Sequence, residues 1–209
     1  NWRTITPAEG WPSTFSRTEI AVSPQNPNNV WFLTKAEDGD GPNGHELWVW
    51  SKSDDLWYDY TAYLPDRGGQ TGTFNSQDGY DLVVSVHPED VGTLFVGGRN
   101  LWRLNVRDSP GGAATWIGGY TIENDRFADY EPAGSDPHHP DQHRIAFAPS
   151  GEDVMYVGSD GGIHRTDDSR AGRPDSSGDG AVMWTSLNEG YHTPQFYAAC
   201  FNHDENDLT

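Results

Sequence analysis

His139, Asp141 and His143 stand at i, i+2 and i+4, just ahead of the apolar run Arg144-Ile-Ala-Phe-Ala-Pro149. Alternate side chains of a strand leave from one face, about 6.6–7 Å apart along it. Two imidazoles and a carboxylate are donors that suit zinc or another transition metal. All three reach one ion only if the backbone bends, and Pro140 supplies a place to bend. The competing reading is structural: Asp141 and His143 hydrogen-bond between neighbouring sheets and fix the start of the strand. Asp175, Ser177 and Asp179 in Asp-Ser-Ser-Gly-Asp-Gly180 match the first half of a calcium loop, with hard oxygen donors and a glycine for the sharp turn. The twelfth position is Ser186 where the full loop carries a bidentate Glu. Calcium is the one cofactor the chain points to, and a solvated linker fits the same residues. Asp38, Asp40 and Asn43 form a weaker cluster of the same kind.

Hydrolysis of a glycosidic bond needs two carboxyl groups across it, about 5–5.5 Å apart for retention and about 6.5–9.5 Å for inversion. Asp81 and Asp141 are the pair to consider as catalytic, because each lies near the start of the first strand of a repeating unit, the inner strand of a blade. The arginines show no clustering in sequence that would suit an anionic substrate.

The elements that position these residues follow from repetition. Thr18-Glu-Ile-Ala-Val-Ser-Pro24, Asp81-Leu-Val-Val-Ser-Val-His-Pro88 and His143-Arg-Ile-Ala-Phe-Ala-Pro149 each begin a unit, and Gln195-Phe-Tyr-Ala-Ala-Cys-Phe-Asn202 begins another. A second series, Trp2, Trp57, Trp116 and Trp184, keeps a similar period. Each unit reads as a four-stranded meander. Strands are expected at 18–23, 29–35, 46–52 and 56–61, then 81–87, 93–98, 101–107 and 114–121, then 143–148, 153–158, 162–166 and 182–187. Proline after the first strand ends its ladder, having no N–H to donate. A four-stranded sheet repeating every ~40–65 residues is the signature of a β-propeller blade. The chain is therefore expected to be all-β, with blades at about 2–64, 65–122 and 139–190 and the first strand of a fourth within 191–209. Pro24, Pro88 and Pro149, with Trp57, Trp116 and Trp184, are its structural markers. Such a ring is incomplete, so its partners are further blades of the same propeller or another chain. The segments 36–46, 66–79, 123–140 and 168–181 are polar and rich in Gly, Pro and Asp, and read as surface loops.

Composition agrees and excludes some functions. Of 209 residues 24 are Gly and 14 Pro, and no long stretch carries the apolar period of an amphipathic helix. The formal charge is −19 with only 13 Lys and Arg, which argues against nucleic acid and against an anionic membrane surface. No apolar stretch reaches the ~20 residues of a membrane-spanning helix. The single cysteine, Cys200, lies in an apolar run and reads as a small buried side chain.

The stretch His139–Tyr197 resembles bacterial propellers with BNR or Asp-box-like repeats, a broad group that includes sialidase-like, xyloglucanase-like and sortilin-type propellers. The resemblance rests on Asp141-x-His143, Tyr156-Val-Gly-Ser-Asp-Gly-Gly-Ile163, Trp184 with Leu187-Asn188, and Gln195-Phe196-Tyr197. The box Ser-x-Asp-x-Gly-x-Thr-Trp itself is degraded. Trp50-Ser-Lys-Ser-Asp-Asp-Leu-Trp57 lacks its Gly, and the Trp after Arg165-Thr-Asp-Asp168 is displaced to 184. In that group the box is a structural hairpin turn. The resemblance implies a secreted or cell-surface propeller that binds a glycan or protein ligand, or serves as a scaffold. Its rival implication is a glycoside hydrolase.

Overall fold

The computed structural model describes residues 2–7, 9–123, 126–149, 153–172 and 180–190. Three four-stranded antiparallel sheets, each a simple meander, hold most of them. The first contains β1 (Phe15–Ser23), β2 (Asn26–Ala36), β3 (His45–Ser51) and β4 (Leu56–Asp59). The second contains β5 (Val83–Val86), β6 (Thr93–Gly97), β7 (Leu101–Asn105) and β8 (Ala114–Gly118). A two-stranded hairpin, β9 (Tyr120–Glu123) and β10 (Arg126–Asp129), precedes the third sheet. That sheet contains β11 (Gln142–Phe147), β12 (Met155–Ser159), β13 (Gly162–Thr166) and β14 (Thr185–Ser186).

Burial along the strands shows how the sheets stack. Every residue of β6 is buried, as a strand covered on both faces requires. In β1, Ala21 and Ser23 are buried while Ile20 and Val22 are exposed, so only one face of that sheet is covered there. Trp31, Leu47, Val84 and Trp102 fill the space between the first and second sheets. Phe95, Ile117, Ile145 and Trp184 fill the space between the second and third. The sheets approach one another first strand to first strand, β1 to β5 and β5 to β11. Meanders stacked face to face, with their first strands converging on one axis, are the blades of a propeller. Three blades leave two open outer faces, with Ile20 58% and Val22 47% exposed on the first and Ile163 51% exposed on the third. Further blades or other chains are needed to cover them.

The prolines stand where expected. Pro24 follows Ser23, and Pro88 and Pro149 each come two residues after the inner strand. The tryptophans divide. Trp184 seals the second gap, donating from Nε1 to the Ile117 carbonyl at 2.7 Å. Trp116 packs edge-on against Tyr130, with ring centroids 5.0 Å apart. Trp57 lies on the outward side of the first blade against Phe32 and Trp11, so Trp31 does the gap-filling there. The expected loop 123–140 contains a strand, β10. Gly119 ends β8 at a φ of +93°, where a Cβ would stand 2.2 Å from Asn100 Oδ1, and the chain turns into the extra hairpin. Among the described residues no helix is long and apolar enough to cross a membrane. The next-blade run 195–202, and Cys200 within it, lie outside the described residues.

Candidate functional site

The inner strands β5 and β11 begin side by side, and the residues just before them meet at that end of the axis. Asp81 lies two residues before β5 and Asp141 directly precedes β11. The approach to Asp81 is a tight turn. Ser76 O accepts the N–H groups of Gly79 and Asp81, and Asn75 Oδ1 caps Gln77 N at 2.8 Å. First-blade side chains hold this turn in place. His45 Nε2 meets Ser76 Oγ at 2.6 Å, Asn43 Nδ2 donates to Phe74 O, and Arg17 Nη1 donates to the carbonyls of Gly79 and Tyr80. Asp141 is stitched to the second blade through its backbone, N to Arg99 O at 2.9 Å.

Five described residues other than glycine have positive φ, and Gln77 (48°), Asp78 (63°) and Asp141 (65°) are three of them. Left-handed backbone at non-glycine residues costs on the order of 1–3 kcal/mol each and collects at functional sites. Asp81 is fully buried, and its carboxyl meets the Gln77 amide and the Asp141 carboxyl without a well-formed hydrogen bond to either. Burial first, and the charge of Asp141 second, push its pKa up to about 7. Asp141 accepts from Gln77 Nε2 at 2.6 Å. Beside this pair the third blade brings Asp160, which meets His143 Nε2 at 2.6 Å. The exposed Tyr80 ring stands edge-on to His143 at 5.1 Å. The cluster thus offers a carboxyl group that stays protonated to near neutrality, acceptor carboxylates, an amide and an accessible ring.

The sequence candidates are sorted by this geometry. Asp81 and Asp141 come together. His139, Asp141 and His143 do not converge. The left-handed turn at Asp141 breaks the strand alternation. Asp141 then meets Gln77, His143 meets Asp160, and His139 Nδ1 lies 2.9 Å from Pro140 O on the wall of a separate cleft. Among the described residues no three His, Cys, Asp or Glu side chains group to hold a metal ion. Asp38, of the weakest cluster, instead receives Ser13 and Thr14 through N–H and hydroxyl groups. Asp175, Ser177 and Asp179 lie outside the described residues. Gln77, Tyr80 and Asp160 were not singled out from sequence. They sit in polar loop segments, and only the meeting of two blades gives them a role. The degraded box at 50–57 forms the β3–β4 hairpin, where Ser51 Oγ donates to Asp54 at 2.8 Å.

No family profile and no curated protein matches the chain. Among solved structures it is similar to the GH74 xyloglucanase from Xanthomonas campestris, at 16% identity and a TM-score of 0.49. That match covers 86% of this chain and 24% of the other. The assignment to a β-propeller segment stands on the three stacked sheets themselves.

Proposed function

We propose that this chain is part of one continuous propeller domain, with blades at 2–64, 65–122 and 139–190 and the next opening in 191–209, and that it acts outside the cell as a binding module for a polyhydroxylated ligand such as a glycan. The observation that supports this best is Asp81, a fully buried carboxyl without a well-formed hydrogen bond, set beside a second carboxylate. Buried polar atoms are normally satisfied, and an exception set among left-handed residues is a signature of a site rather than of packing. Asp141 and Asp160 would accept ligand hydroxyls, and the Tyr80 ring would stack on a sugar face. A hydroxyl that replaces the Gln77 amide on Asp141 would open the way to Asp81.

The same pair motivates a second reading, a glycoside hydrolase. A protonated Asp81 would give its proton to the leaving oxygen, and ionised Asp141 would serve as nucleophile or base. One experiment separates the two. Neutral oligosaccharides are titrated into the wild type, Asp81→Asn and Asp141→Asn by calorimetry, and each mixture is then chromatographed. Saturable binding, weakened about tenfold in Asp141→Asn by loss of a charge-assisted hydrogen bond, with the oligosaccharide intact, is expected. Cleavage by the wild type that both variants lose would replace binding with hydrolysis. Absence of any saturable heat in the wild type would remove the glycan reading.

A further inference from the structure

One hydroxyl ties the turn ahead of Asp81 to the first blade, and the hydrogens of that tie can be assigned. His45 opens β3 and is 1% exposed. Its Nδ1 lies 2.8 Å from the Pro42 carbonyl oxygen, which only accepts, so Nδ1 carries a hydrogen. Burial holds the ring's pKa down to about 4, so at neutral pH Nε2 is a lone pair. Lys35 and Asp78 are the charged groups facing the ring, and they pair with each other at 3.5 Å. Ser76 Oγ, 2.6 Å from Nε2, must therefore donate its hydrogen across the seam. The same oxygen accepts Gly79 N–H at 2.9 Å. The Phe74 ring packs edge-on against the imidazole at 4.9 Å.

Ser76 is fully buried, so this pair cannot present a serine nucleophile to a substrate. Its place in the chain gives it another use. Ser76 O receives Asp81 N–H, and the next residue, Gln77, reaches both carboxyls of the axial pair. A turn serine ordinarily bonds its own backbone, as Ser76 does at Gly79, and needs no partner on another sheet. Apolar side chains such as Trp31, Leu47 and Val84 fill the gap between these blades, whereas the His–Ser tie stands at the end where the acids meet.

We propose that His45 and Ser76 are positioning residues of the axial site, holding Gln77 and Asp81 against Asp141 in the arrangement that binds ligand, a role that rests on the proposed binding function. The test reads Asp81 itself and needs no ligand. Its carboxyl is titrated by carbon-13 NMR in the full chain, the signal being assigned by its loss in Asp81→Asn. Asp141 and Asp160 are the other charges that face it. Ser76→Ala removes the hydroxyl. His45→Asn keeps a donor in place of Nδ1 and loses the acceptor, whereas His45→Gln keeps an acceptor in place of Nε2. Trp57→Ala weakens the same blade on its outward side. Ser76→Ala and His45→Asn should displace the titration downward by about half a pH unit or more, because a loosened turn admits water to the carboxyl. His45→Gln and Trp57→Ala should leave it in place. A titration unchanged in Ser76→Ala, or displaced equally in Trp57→Ala, would overturn the proposal. Should neither imidazole variant fold, Ser76→Ala against Trp57→Ala decides alone. Oligosaccharide binding without any displacement removes the positioning role and spares the glycan reading. Displacement without saturable binding does the reverse.

Discussion

Asp81 is a cost that the fold carries. Its pKa of about 7 against an ordinary 3.8 means that the folded chain holds a proton the unfolded chain gives up. Below about pH 4 both states are protonated and there is no penalty. Between pH 4 and 7 the penalty grows, and above about 7 it is complete. Asp81→Asn should therefore stabilise the protein at pH 8, on the order of 1–3 kcal/mol, and the gain should fade toward pH 4. Thermal melts at the two pH values check this, and an Asn variant less stable than wild type at pH 8 would contradict it. At this scale the sequence marked Asp81 and Asp141 because they lie near the start of inner strands. It did not show that His139, Asp141 and His143 part company, because regular pairing of β11 holds only from Arg144 onward, past an irregularity at His143, and a left-handed residue cannot be seen in an Asp.

The strands were legible from the repeat, and their observed limits fall within a few residues of those expected. Two independent marker series and the turn residues after each inner strand all agree on that level. The β9–β10 hairpin was not legible, since it belongs to no repeat and depends on the close approach of Gly119 to Asn100. Nor did spacing tell which tryptophan fills a gap. Trp184 is 2% exposed between two blades, while Trp57 is only partly buried on the outer face. Trp184→Ala should cost about 3–5 kcal/mol, adding a cavity to the loss of the Ile117 hydrogen bond. Trp57→Ala should cost about half as much. Urea unfolding of the two variants tests the assignment, and equal costs would undo it.

The molecule as a whole sets its acid limit through buried histidines. Burial lowers His45 to about 4 and His138 to about 3, and His87 and His164 in the same direction. A depressed imidazole contributes stability that is complete above its unfolded value of 6.5 and lost as the pH falls through its folded value. Melting temperature should therefore drop steeply between pH 6.5 and about 3–4, against the opposite and single contribution of Asp81. A flat profile across that window would show that these rings are not the acid trigger. The charge of −19 was legible from composition alone, and it correctly left the carboxylates mostly on the surface. The four buried imidazoles were not, because burial between blades is a property of stacking.

The stitching of Asp141 to Arg99 has a mechanical consequence. Asp81 rides on the second blade, whereas Asp141 straddles the seam, its N–H on Arg99 of the second blade and its carbonyl receiving Asp160 N–H of the third. Asp160 and His143 ride on the third. The seam between the blades thus works as a hinge pin set beside Asp81. When a ring closes and the wedge angle between blades tightens, the third blade's side chains shift relative to Asp81. What adjusts is the field at Asp81, so the acidity of one carboxyl becomes a gauge of how the whole ring is assembled.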